Sequence, residues 1–215
     1  VKFDDGVHTP TGETVKFTVA PASTAVVSLS IDDVSYGEEI LVKVSAEDES
    51  GVPIAGDVNV EFDGFGVGII TLDGNGEGTL SIPAYSFPAG TIYALASLDN
   101  SNYVTATDDL RFIVKKAAVT VVAEDAEAEW GEPATVLFNV TGADGAKLNG
   151  TAIVTVSWDV DGVSQVVTVS EGAGEASFNI ADSVAPGTYD VSVKFLGNDL
   201  YDANENTEAK LVLTD

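Results

Sequence analysis

The feature that most constrains the fold of this 215-residue chain is a phrase written twice. Residues 87–103 read FPAGTIYALASLDNSNY, and residues 185–201 read APGTYDVSVKFLGNDLY. The match runs on in both directions. SYGEEILVKVS (35–45) returns as EWGEPATVLFN (129–139), GNGEGTLSI (74–82) as EGAGEASFNI (171–180), and DDLRFIVKK (108–116) as TEAKLVLTD (207–215). Gly37 thus corresponds to Gly131 and Tyr103 to Tyr201, a period of slightly under about 100 residues whose small drift belongs to hairpin loops. The expected division is two full units, 22–116 and 117–215, joined near Lys115, Lys116 and Ala117 with no Pro/Gly linker.

The N-terminus carries a third trace of the pattern. VKF (1–3) matches Val193–Phe195, and TVKFTV (14–19) falls where EAKLVL (208–213) falls, each two periods earlier. Residues 1–21 therefore read as a partial repeat, the last two strands of a preceding unit; the alternative is an extra hairpin of the first full unit.

Each unit is a series of short segments in which apolar and polar residues alternate. In the second unit these are 118–124, 134–140, 152–158, 164–170, 175–181, 188–195 and 209–214. Tyr189, Val191, Val193 and Phe195 share one face, and Asp190, Ser192 and Lys194 the other, the period-two pattern of a half-buried strand. Turn residues separate the segments: Asp161–Gly162, DGNG (73–76) and EGAG (171–174). The expectation is an all-β chain of tandem immunoglobulin-like β-sandwiches of about seven strands each. In this frame Pro-Gly-Thr launches a core strand, GNDLY or DNSNY turns into the last one, and the closing Tyr folds over the end of the sandwich with its hydroxyl in water. Tyr36 and Trp130 are expected to cap the opposite ends.

Composition narrows function. The net charge of −26, from 35 acidic and 9 basic residues, repels nucleic acid and anionic lipid. No apolar run is long enough to cross a membrane. There is no Cys, hence no disulfide or thiolate chemistry, and no Met; a chain opening on Val1 is expected to be a processed product or an excised piece. His8 is the only histidine and reads as a loop residue. Asp159 and Asp161 straddle a hairpin rather than a pocket, so no enzyme, catalytic site or cofactor site is expected. Calcium has three candidate stretches: Asp73, Asn75 and Glu77; residues 32–39; and residues 124–132. Asn139 and Asn149 fit the N-glycosylation rule, with Asn149 better placed in a loop. A Lys–Asn cross-link is disfavoured because Lys16, Lys43, Lys194 and Lys210 fall out of phase with the core.

An aromatic-Gly-Glu start, Pro-Gly-Thr-Tyr before a long strand and Gly-Asn-x-x-Tyr after it resemble bacterial Ig-like repeats of the group 3 type. The acidic, Cys-free, Val/Thr/Asn-rich character is most similar to the set in adhesin-like proteins of methanogenic archaea. Asp99 stands where the second unit has Gly197, a departure from the pattern. The resemblance implies a repeat segment of an extracellular cell-surface protein, a stalk, spacer or attachment module. Its partner would be a surface protein or glycan of another cell, and the apolar N-terminal strands add weak self-association. The alternative is a carbohydrate-binding β-sandwich, which needs aromatics gathered on an exposed face.

Overall fold

The structure, a computed structural model, describes residues 2–3, 11–12, 16–18, 23–158 and 162–215. His8 and the pair Asp159 and Asp161 lie outside the described residues. The chain is all-β. A short antiparallel pair, β1 (Lys2–Phe3) and β2 (Thr11–Gly12), comes first. The next nine strands are β3 (Ser23–Ile31), β4 (Val34–Ser35), β5 (Ile40–Asp48), β6 (Gly56–Phe62), β7 (Gly66–Leu72), β8 (Glu77–Ile82), β9 (Gly90–Asp99), β10 (Tyr103–Val104) and β11 (Thr107–Lys115). Nine more follow: β12 (Val119–Ala123), β13 (Ala126–Glu129), β14 (Ala134–Gly142), β15 (Gly150–Val156), β16 (Val163–Val169), β17 (Ala173–Phe178), β18 (Gly187–Phe195), β19 (Asn204–Asn206) and β20 (Lys210–Thr214).

The seven longer strands of the two sets repeat one wiring, while β10 pairs β3 and β19 pairs β18. In the first, one sheet runs β10-β3-β5-β8 and the other β4-β11-β9-β6-β7; in the second the orders are β12-β14-β17 and β13-β20-β18-β15-β16. Each set has seven longer strands, the immunoglobulin-like sandwich that the alternation predicts. The short strands β4, β10, β13 and β19 are additions to that expectation. Two of them run parallel to the last strand of their set, β4 with β11 and β13 with β20. In both places an aspartate lengthens the ladder. Asp33 Oδ1 accepts the N–H of Ile113 at 2.7 Å, and Asp125 Oδ1 that of Lys210 at 2.8 Å.

Burial follows the pattern strand by strand. Along β5, Ile40, Val42, Val44 and Ala46 point inward while Leu41, Lys43, Ser45 and Glu47 point out. Each set encloses its own core, one around Val42, Val58, Val60 and Phe112, the other around Phe138, Phe178, Phe195 and Leu211. Among the described residues no polar or charged side chain is buried, so apolar packing carries these cores. The edge of the second sandwich is stitched by side-chain amides: Asn204 donates to the Val119 carbonyl, and Asn206 to that of Val121 at 3.3 Å. The turn at 73–77 is held by Asp73, whose Oδ1 accepts the amides of Asn75 and Glu77.

Candidate functional site

The feature with the most built structure outside the two cores is the joint between them. Lys115, Lys116 and Ala117 leave the last strand of the first sandwich and enter the second. This connection is hydrogen-bonded on both sides. Tyr36 donates its amide to the Lys115 carbonyl at 2.8 Å. Ala117 donates to Leu200 and accepts from Asp202, each at 2.9 Å, forming a parallel bridge with Tyr201. The Lys116 ammonium reaches the Asn198 carbonyl at 2.5 Å. Few torsions are left free to bend.

Aromatic rings fill the space beside the connection. Tyr36 meets Tyr201 edge-on at 5.6 Å between centroids and meets Tyr85 edge-on at 5.3 Å. Both are geometries the ring quadrupole favours. Tyr201 is only 9% exposed, buried in the second core, and Tyr36 packs against both cores. Tyr201 does fold over the end of its sandwich, as expected, but the expectation of a hydroxyl end open to water needs correcting: the side chain is buried and the Tyr36 ring of the first unit lies against it. The reason is tandem order, since the end that Tyr36 caps in one unit abuts the end that Tyr201 caps in the next. Trp130, in the place of Tyr36, is 47% exposed and donates Nε1–H to the Val184 carbonyl at 2.8 Å.

Tyr85 was not singled out by sequence reasoning. Its hydroxyl donates to Asp144 of the second sandwich. That bond to a carboxylate pushes the Tyr85 phenol up to about 12, and the same bond, with the Ala146 amide, holds Asp144 below its ordinary 3.8. Burial raises Tyr201 as well. Tyr85 adopts φ 66°, left-handed backbone that costs a bulky residue of order 1–3 kcal/mol. Two glycines make the room. A Cβ on Gly37 would stand 3.0 Å from the Tyr85 ring, and one on Gly142 would stand 2.5 Å from Asp144 Oδ1 and 2.8 Å from the Tyr201 ring. These contacts tie one sandwich to the other.

Four carboxylates of the calcium candidate stretches accept backbone amides. Asp33 and Asp125 extend strand ladders, Glu38 accepts the Ser35 amide at 2.7 Å, and Asp73 wraps its own turn, whose amides lower its pKa. Among the described residues no three His, Cys, Asp or Glu side chains converge as metal ligands. Asn139 lies exposed within β14, and Asn149 lies exposed in the β14–β15 loop, where its Oδ1 accepts the Glu171 amide at 2.7 Å. Lys43 and Lys194 face solvent, and Lys210 pairs with Asp190.

No family model and no curated protein sequence matches the chain. Among solved structures it is similar to invasin, a bacterial integrin-binding protein, with 18% identity and a TM-score of 0.49 over 86% of this chain and 39% of that one. It is also similar to a tetra-tandem repeat in the extending region of a large adhesion protein, at 18% identity and TM-score 0.45 over 89% and 49% of the two chains. Two titin domains in complex with telethonin match with the same identity and score over 90% and 98%. The chain thus spans about two-fifths of the invasin structure. These likenesses are of fold.

Proposed function

We propose that the chain is a repeat segment of an extracellular adhesin-like surface protein, acting as a stiff spacer between a cell and whatever the parent molecule attaches to. The observation that carries this reading is the joint. A connection without free residues, three tyrosine rings and a Tyr85–Asp144 hydrogen bond serve to hold two domains at a set angle, which a spacer needs and an isolated binding domain does not. The units are 22–116 and 117–215. Residues 1–21 are the end of a preceding unit of the same group 3 type: β1 and β2 pair where β18 and β19 pair two periods later. The acidic, Cys-free composition supports an archaeal cell surface as the setting. The chain is not a catalyst, and its partner is a protein or glycan displayed on another cell.

Small-angle scattering tests the spacer reading. A single compact body of this length has a radius of gyration of about 17 Å, whereas two sandwiches fixed end to end give roughly 21–25 Å. The expected result is the larger value, unchanged between low and high salt. A value near the compact one overturns the reading.

A further inference from the structure

The outer face of the β4-β11-β9-β6-β7 sheet differs from its counterpart in the second unit. Val114 pairs with Gly90 in one and Leu213 with Gly187 in the other, so Arg111 corresponds to Lys210 and Tyr93 to Asp190. The second unit fills the position with a plain Lys210–Asp190 ion pair, the ordinary way to stabilise a cross-strand neighbour. The first unit has an aromatic ring with a guanidinium 6.0 Å from its centroid. Arg111 is the only arginine in the chain, is exposed, and makes no ion pair among the described residues. Leu95, likewise, stands where the second unit has Ser192.

The β6–β7 turn builds a wall beside this pair. Asp63 donates its amide to the Tyr93 carbonyl at 3.1 Å, which ties the turn to β9. Phe65 stands 46% exposed with its edge against buried Phe87 at 4.8 Å, so the ring is held rather than loose. Two adjoining hollows result. One, of about 450 Å³, lies between Asp63, Phe65, Thr91, Tyr93 and Arg111. The other, of about 290 Å³, lies between Glu61, Asp63, Tyr93 and Leu95. Asp63 and Tyr93 belong to both.

We propose that this face binds a neutral saccharide. The guanidinium presents planar donors and the carboxylates of Glu61 and Asp63 present acceptors, which together match hydroxyl groups that both give and take hydrogen bonds. Tyr93, Phe65 and Leu95 supply apolar walls for the C–H faces of sugar rings. The two hollows set side by side offer consecutive subsites. A net charge of −26 and two carboxylates in the site weigh against an anionic glycan. The proposal rests on this face alone and stands whether or not the chain is a spacer.

The test is titration of the isotope-labelled full chain, followed by amide shifts, with cellotetraose, maltotetraose, mannotetraose and chitotetraose. A hyaluronan tetrasaccharide and tetralysine serve as charged probes. At least one neutral probe is expected to move the amides of residues 61–65, 91–95 and 111. Arg111→Ala and Tyr93→Ala should each weaken that binding by at least about tenfold. Arg111→Ala leaves the melting midpoint unchanged, because the side chain is exposed, and Asp190→Ala in the counterpart position leaves binding unchanged. The proposal is overturned if no neutral probe shifts these amides at about 20 mM. It is equally overturned if only tetralysine or only hyaluronan does so, or if the shifts persist in Arg111→Ala.

Discussion

At the end of the repeated phrase, the Tyr201 ring closes the second core and receives the edge of Tyr36 from the first unit. Gly197 ahead of it has φ 73° and no space for a Cβ beside the Tyr201 carbonyl, while Asn198 Oδ1 accepts the amides of Leu200 and Tyr201 at 2.9 Å each. Turn and ring are thus one device. Tyr201→Ala is expected to cost the second unit about 3 kcal/mol, from lost burial plus an unfilled cavity. In a domain of about 100 residues that lowers the melting midpoint by more than about 10 °C. Tyr201→Phe should be nearly neutral. A shift under about 2 °C for the alanine variant contradicts this account of the phrase. Tyr85 and Asp144 set the pH limits of the joint. Asp144 is depressed, so its contribution is present above the ordinary 3.8 and is lost as pH falls through the lower folded value. Tyr85 is raised, so its contribution is complete below the ordinary 10.0 and is lost as pH rises towards about 12. Spectrophotometric titration of the six tyrosines should show a late ionisation that Asp144→Asn returns towards 10. An unmoved titration curve means that the two groups do not meet in solution.

Among the elements, the long strands were legible because each carries at least two alternating apolar pairs, as in β5 and β18. The two-residue strands β4 and β10 were not, since two residues show no period. The acidic stretches 32–39 and 124–132 read as calcium candidates because composition cannot tell a carboxylate that faces a cation from one that faces a backbone amide; Asp33 and Asp125 do the latter. Tyr36 and Tyr201 were both legible as end caps. Their contact was not, although the repeat contained the signal: in a tandem chain the opposite ends of neighbouring units meet. Tyr85 left no trace, because the second unit has no aromatic residue between Phe178 and Tyr189. The N-terminal element carries its own prediction. Phe17 is 83% exposed, so this side chain adds little apolar burial to the first sandwich. Deleting residues 1–21 should leave the melting of both units nearly unchanged and reduce self-association measured by sedimentation. Unfolding of the first unit on deletion would mean that these strands belong to it.

For the molecule as a whole, the accessible surface is 12791 Å². A compact body of 22.2 kDa exposes about 9,400 Å² and two separate halves together about 11,300 Å², so the chain has the surface of two bodies. What links them is narrow, and any load along the chain passes through it and then through each sandwich. The parallel pairs β4–β11 and β13–β20 decide how that load is borne. The second strand of each sandwich lies beside its last strand, running the same way, so once the first strand has let go, tension on the two ends of the unit slides that pair of strands past each other. Every hydrogen bond of the pair then resists at once, instead of opening singly as in a peeled hairpin. The aspartate that lengthens each ladder adds a rung at the point where sliding begins. Stretching single molecules should therefore give two unfolding peaks, one lowered by Asp33→Ala and the other by Asp125→Ala, with the untouched unit as internal reference. Peaks of unchanged height in both variants would show that the parallel ladders do not carry the force, and that the strength of this chain under tension lies elsewhere in its sheets.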